Sequence, residues 1–230
     1  MVLGRRQLLI AGALAVVGLS ACGDPPRARF EDATAEGPNG TGGVAAEPTR
    51  IISVGMVGDS ITQGSVDELQ AAFVASGIDD IRIDGDKGRR IEVGNGKGPG
   101  PVSGVRTLYA MLADGFDPDA WVIELGTNDV GSYRDEAAYG ELIDQVLTML
   151  PADRPLAWVN VFRPDHLDHT DLFNAALQGR IDARTDAVIV DWHSHASAPD
   201  QTILRSDGLH PNSDGSQVLA LLVAQALQGF

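Results

Sequence analysis

The chain has 230 residues and a formal charge of −15. Apolar residues make up 43% and charged residues 21%, enough apolar surface for a packed core, so wholesale disorder is excluded. The acid excess argues against a nucleic-acid binder, which needs a basic face, and the single cysteine, Cys22, excludes an intrachain disulfide.

At the N-terminus, Arg5 and Arg6 precede an uncharged apolar stretch over residues 8–19, and small residues follow. This order is that of a bacterial export signal. The stretch falls short of the about 20 residues that a membrane-spanning helix requires. Leu19-Ser20-Ala21-Cys22 resembles a lipobox, where lipoprotein signal peptidase cuts ahead of a lipid-modified cysteine. Arg5-Arg6-Gln7-Leu8-Leu9 also resembles a twin-arginine signal, although paired arginines are common in other export signals. On this reading residues 1–21 are a signal peptide and Cys22 is the lipidation site. The alternative is an ordinary cleavage site beside an unmodified cysteine. Residues 22–49, rich in Gly, Pro, Ala and Glu without apolar periodicity, are expected to be a flexible tether. The expected location is outside the cytoplasm, lipid-anchored to the bacterial cell membrane.

Residues 50–58 (RIISVGMVG) form a short apolar run ending in glycine, which predicts a buried strand. Residues 65–76 carry Leu69, Ala72 and Phe73 on one helical face, and Gly77 closes the helix. Residues 80–84 (DIRID) alternate as a short strand does. Residues 94–104 are a glycine/proline loop, and residues 105–113 are a predicted helix. A strand follows over 120–125 (AWVIEL). Leu142, Val146 and Leu150 share a face of a helix over 136–150, with Pro151 after it. A strand over 156–162 (LAWVNVF), a helix over 172–183, a strand over 187–191 (AVIVD) and a helix over 213–227 complete the chain. Strands alternating with helices predict an α/β fold, a five-stranded parallel sheet covered on both faces to give three layers. With no internal repeat and no second core, residues 50–230 are expected to form one domain. In such sheets, sites form where strands end.

After the first strand comes Gly58-Asp59-Ser60-Ile61-Thr62. Glycine permits a tight exit, and Ser60 then lies at a helix start, where free N–H groups and the helix dipole favour negative charge. The same place suits an ordinary N-cap serine. After the third strand comes Gly126-Thr127-Asn128-Asp129, in which Asn128 is a candidate oxyanion donor or a turn residue. Near the C-terminus, Asp207 precedes His210 by three residues, a spacing that lets its carboxylate reach Nδ1 and leave Nε2 as a base. The chain order is Ser, Asn, Asp, His, and each residue type fills a different role in nucleophilic acyl chemistry.

With these blocks the sequence resembles the SGNH (GDSL-type) hydrolase superfamily over roughly residues 51–229. Gly58-Asp59-Ser60 matches the block of the catalytic serine, Gly126-Thr127-Asn128-Asp129 that of the oxyanion asparagine, and Asp207-Gly208-Leu209-His210 the Asp-x-x-His pair. The resemblance implies a flavodoxin-like fold and a triad of Ser60, His210 and Asp207. It also implies an oxyanion hole from Asn128, the Ser60 N–H and a glycine N–H after the second strand. Gly88 is chosen, because Asp86-Lys87-Gly88-Arg89 follows that strand directly and resembles the Gly-Arg turn of several extracellular members; Gly94, Gly96 and Gly98 are the alternatives. No metal or cofactor is required. His166, His169, His193 and His195 lie after the fourth and fifth strands but lack an accompanying thiolate, so they are not assigned a metal. The expected function is a serine esterase acting on small-acyl or carbohydrate esters through an acyl-serine. The alternatives are a cell-wall glycan O-acyltransferase with the same triad, and a non-catalytic surface binding lipoprotein.

Overall fold

The apolar runs form parallel strands β1 (Ser53–Gly58), β2 (Asp80–Gly85), β3 (Ala120–Glu124), β4 (Leu156–Val159) and β5 (Ala187–Val190). The structure is a computed structural model that describes residues 50–230 except 95 and 99. The expected signal peptide, lipidation site Cys22 and tether lie outside the described residues. The strand order is β2-β1-β3-β4-β5 with every pairing parallel, which is the expected α/β sheet. Interior strands covered on both faces read as continuous apolar runs. On β3, Ala120 and Val122 enter one core while Trp121 and Ile123 enter the other. On β4, Ala157 and Val159 oppose Leu156 and Trp158 in the same way.

The helices are α1 (Ser60–Gln63), α2 (Val66–Ala75), α3 (Gly104–Ala113), α4 (Glu136–Leu147), α5 (Leu167–Ile181), α6 (Trp192–Ala196) and α7 (Ser213–Leu227). Leu69 and Phe73 of α2, Trp192 of α6 and Leu219 and Val223 of α7 cover one face. Leu108 of α3, Tyr139, Leu142 and Ile143 of α4 and Phe173 and Leu177 of α5 cover the other. Side-chain caps start several of these helices: Ser103 for α3, Asp135 for α4 and Asn212 for α7. Among the described residues no helix is long and apolar enough to cross a membrane.

The structure departs from the sequence expectation at two places near the site. Helix α5 begins at Leu167 rather than residue 172. Its first turn, Leu167-Asp168-His169-Thr170, is mostly polar and hides the period; Thr170 Oγ1 donates to the carbonyls of Arg163 and His166 and holds the entry. Strand β4 ends at Val159 rather than residue 162. Beyond it, the Val161 backbone pairs with the Asn174 side chain, which accepts from its N–H at 2.9 Å and donates to its carbonyl at 2.8 Å. That side chain replaces a strand neighbour.

Candidate active site

Strand β1 lies between β2 and β3, so the connections diverge from it and open a crevice at the carboxyl ends of the strands. Ser60 begins α1 at this point, and its N-cap Asp59 accepts from the Ile61 N–H through Oδ1 at 2.9 Å. A Cβ on Gly58 would overlap the Thr62 side chain and approach Glu124 Oε2 to 2.9 Å. Only glycine permits this exit from the strand.

His210 Nε2 lies 2.9 Å from Ser60 Oγ, and His210 Nδ1 lies 2.8 Å from Asp207 Oδ2. Asp207 Oδ1 accepts from the N–H groups of Leu209 and His210 at 2.9 and 3.0 Å. These backbone bonds, with the His210 ring, hold the Asp207 carboxyl down to about 2. An ionised carboxylate can only accept, so Nδ1 carries the ring hydrogen and Nε2 is left to accept from Ser60. The loop carrying Asp207 and His210 is closed by Arg205, whose N–H donates to the His210 carbonyl and whose Nε donates to the Pro211 carbonyl, both at 2.8 Å. Asn212 then caps α7. At the base of that helix, Ser65 Oγ donates to Ser216 Oγ at 2.9 Å. Both side chains are buried, and their contact ties the first turn of α7 to the turn after α1.

Asn128 stands in the turn after β3, where the Gly126 carbonyl accepts from Asp129 and Val130 N–H. Its Nδ2 donates to Asp59 Oδ2 at 2.9 Å and to the Arg89 carbonyl at 3.0 Å. An amide nitrogen carries two hydrogens, and here both are engaged. An oxyanion on Ser60 would compete with the Arg89 carbonyl for the second. Gly88 precedes Arg89 at φ +75° in the turn after β2. Among the described residues neither the Ser60 N–H nor the Gly88 N–H has an acceptor. Gly94 lies at the neck of the glycine/proline loop, its carbonyl accepting from Ser103 N–H at 3.1 Å. No described contact joins Gly94, Gly96 or Gly98 to Ser60 or Asn128.

Arg89, Glu124, Asp59 and Asp129 received no role from the sequence. Arg89 is buried and donates to the carbonyls of Gly58 at 2.9 Å, Asp84 at 2.7 Å and Val102 at 3.0 Å, and to Asp84 Oδ1 at 2.7 Å. One cation thus joins the ends of β1 and β2 to the residue preceding α3's cap. Glu124 ends β3 beside Gly58. Its Oε2 accepts from Asp59 N–H at 3.1 Å, Thr62 N–H at 3.1 Å and Thr62 Oγ1 at 2.8 Å. Burial, then the neighbouring Asp59, push the Glu124 carboxyl well above its ordinary value. Burial also raises Asp59 to about 6, and Asp129 to about 6 despite its bonds from Ile91 N–H and Arg90 Nε. One signal for Glu124 stood in the sequence: it is the acid that ends a wholly apolar strand.

His169 Nδ1 lies 3.1 Å from Tyr139 Oη, which accepts from Gly131 N–H at 2.8 Å. His193 packs edge-on against Phe162, and its backbone N–H donates to Asn160. His166 packs against Gly131, and His195 lies in α6.

Residues 56–218 match the model of the GDSL-like Lipase/Acylhydrolase family. No curated protein matches the chain. The C-terminal catalytic domain of Streptococcus pneumoniae peptidoglycan O-acetyltransferase A is similar in structure, with a TM-score of 0.61 at 17% identity, covering 78% of this chain and 94% of that domain. TesA gives a TM-score of 0.61 at 22% identity, covering 77% of this chain and 98% of its own. A Clostridium thermocellum family 3 carbohydrate esterase gives 0.55 at 17% identity, covering 77% and 97%. These likenesses show a shared fold.

Proposed function

The chain belongs to the GDSL-like lipase/acylhydrolase family, and on that premise we propose that it is a serine esterase that forms an acyl-serine on Ser60, releasing small acyl groups from carbohydrate or other polar alcohols. Family membership makes it an ester-acting enzyme and sets aside the non-catalytic binding role. The observation that carries the finer reading is the continuous relay from Ser60 Oγ through His210 to Asp207, with steps of 2.9 and 2.8 Å.

In this reading Ser60 Oγ attacks the ester carbonyl carbon while His210 Nε2 takes its proton. Asp207 holds the imidazolium by its Nδ1–H. The carbonyl oxygen becomes an oxyanion, received by the Ser60 and Gly88 N–H groups and the Asn128 amide. On collapse, the alcohol leaves with the proton from His210, and the acyl group stays on Ser60. Water, deprotonated by His210, then adds to the acyl carbon and releases the acid with Ser60 restored. A half-exposed triad, with His210 and Asp207 side chains 27% and 49% accessible, supports an ester carried on a bulky polar alcohol.

The same openness favours one second reading. A sugar hydroxyl can reach His210 as readily as water, which would make the protein a glycan O-acyltransferase, the activity named for the S. pneumoniae domain that shares its fold. Purified chain mixed with p-nitrophenyl acetate, with and without a glycan acceptor, separates the two. Acetyl transfer exceeding hydrolysis overturns the esterase reading. Turnover unchanged in Ser60→Ala overturns both. The export signal and Cys22 support an enzyme held outside the cytoplasm by a lipid anchor in the bacterial membrane; membrane association surviving Cys22→Ala would sink that placement.

A further inference from the structure

Two acids lie directly beneath the proposed nucleophile. Glu124 and Asp59 are both buried, and Glu124 Oε2 lies 3.1 Å from the Asp59 N–H, so two carboxyl groups share one buried place. Two like charges held together away from water repel strongly, which favours one proton on the pair. The remaining contacts decide which residue holds it. Asp59 Oδ1 accepts from Ile61 N–H at 2.9 Å, and Oδ2 accepts from Asn128 Nδ2 at 2.9 Å. Both Asp59 oxygens therefore face donors and favour negative charge. Glu124 faces donors at Oε2 alone, namely Asp59 N–H, Thr62 N–H and Thr62 Oγ1, and its other oxygen can carry the proton.

We propose that Glu124 is a positioning residue that works as a neutral acid: it clamps the backbone on both sides of Ser60 and donates to Asp59, which in turn aims the Asn128 amide at the oxyanion. This rests on the assignment of Ser60 and Asn128 given above. The clamp is built into the sheet register, since Glu124 pairs with Gly58 across β1 and β3 and Gly58 has no Cβ to block the reach. The charged neighbours agree with this placement of the proton. Glu124 is raised by burial and by the Asp59 charge. Asp59, about 6, is raised by burial and by Asp129 and lowered by His210 and the Ile61 N–H. Burial and the Asp59 charge thus both act to keep the proton on Glu124. Asp59 stays an acceptor for Asn128, whose NH₂ is thereby held between Asp59 and the Arg89 carbonyl.

The test uses the full chain and the variants Glu124→Gln and Glu124→Leu. Glutamine keeps an acceptor oxygen for the turn and an N–H for Asp59, so kcat on p-nitrophenyl acetate should stay within about threefold of wild type. Leucine fills the space but strips the Thr62 N–H and hydroxyl of their acceptor, while the Asp59 N–H keeps the residue-124 carbonyl, so kcat should fall roughly 10- to 100-fold at unchanged KM. At pH 8, where Asp59 and Asp129 are ionised, infrared spectroscopy should show a protonated-carboxyl band that Glu124→Gln abolishes. A glutamine variant that loses more than about tenfold, a leucine variant that keeps full kcat, or an infrared spectrum unchanged in Glu124→Gln would each overturn the proposal. Should the leucine variant not fold, the glutamine rate and the infrared band still decide it. Absence of turnover in the wild-type chain would sink the esterase reading instead, and leave the band to report on Glu124.

Discussion

The backbone carbonyl of Arg89 accepts a 3.0 Å hydrogen bond from the side-chain amide of Asn128. That bond occupies the hydrogen which an oxyanion would need, because Asp59 already takes the other. The turn after β2 is therefore tied to the turn after β3 before substrate arrives. Asn128→Ala removes the donor outright. Its kcat should fall on the order of 10²–10³ with KM little changed, as for loss of an oxyanion donor. Asn128→Asp should be at least as damaging, since it sets a carboxylate beside Asp59. Steady-state kinetics on p-nitrophenyl acetate, with folding checked by circular dichroism, is the measurement; equal kcat in Asn128→Ala would refute the role.

Arg89 holds that turn in place. Its guanidinium gathers the carbonyls of Gly58, Asp84 and Val102, and removing it leaves these acceptors without their cation in a buried place. Arg89→Ala should destabilise the chain by about 3 kcal/mol, the scale of losing hydrogen bonds to a charged group. Arg89→Lys should recover only part, because one ammonium cannot present the same planar fork. Urea unfolding of the two variants checks the order.

Asp207 sets the tautomer of His210. Asp207→Asn keeps shape but can donate to Nδ1, which would turn the ring hydrogen to Nε2 and away from its task. A kcat loss of roughly 10²–10⁴ is expected, toward the smaller end because water also reaches this half-exposed carboxylate. The pH signature has a definite sign. The Asp207 carboxyl is held down to about 2 in the folded chain, below its ordinary 3.8. Its stabilising contribution is present above 3.8 and is lost as pH falls through about 2. Acid unfolding of Asp207→Asn should therefore lack part of the wild-type loss in that window.

Asp129 acts with the opposite sign. Its carboxyl is raised from 3.8 to about 6, chiefly by burial. The folded chain then binds the proton more tightly than the unfolded chain, so this contribution to stability is fully present below about 4 and is lost as pH rises through about 6. Asp129→Asn keeps an oxygen for Ile91 N–H without the charge. The melting temperature of the variant relative to wild type should rise between pH 5 and pH 7, and a flat difference would contradict the buried-charge account.

These tests mark where local pattern stopped informing. Strands β1 and β3 were legible because their two buried faces make unbroken apolar runs. Ser60, Asn128, Asp207 and His210 were legible because each sits in a turn motif at the end of a strand or before a helix, and the structure brings them to one end of the sheet. Helices α1 and α6, with 4 and 5 residues, are too short to show a period. Glu124 and Arg89 were missed for a different reason: their partners are set by the register of neighbouring strands, Gly58 against Gly85 on one side and against Glu124 on the other. No run of adjacent residues records that register.

The Ser65–Ser216 hydrogen bond shows the same kind of hidden dependence, and it makes the last prediction. Each hydroxyl is buried, and the pair joins the turn after α1 to α7, the helices next to Ser60 and His210. Ser216→Ala leaves Ser65 Oγ without its acceptor and should cost about 1–3 kcal/mol. Ser65→Ala should cost a similar amount. The double variant leaves no hydroxyl stranded, so its loss should be clearly smaller than the sum of the single losses, with a coupling of at least about 0.5 kcal/mol. If the contact also sets the approach of His210 to Ser60, the single variants should lower kcat severalfold under conditions where they remain fully folded. Strict additivity in unfolding together with unchanged kcat would show that Ser60 and His210 are brought together without this contact.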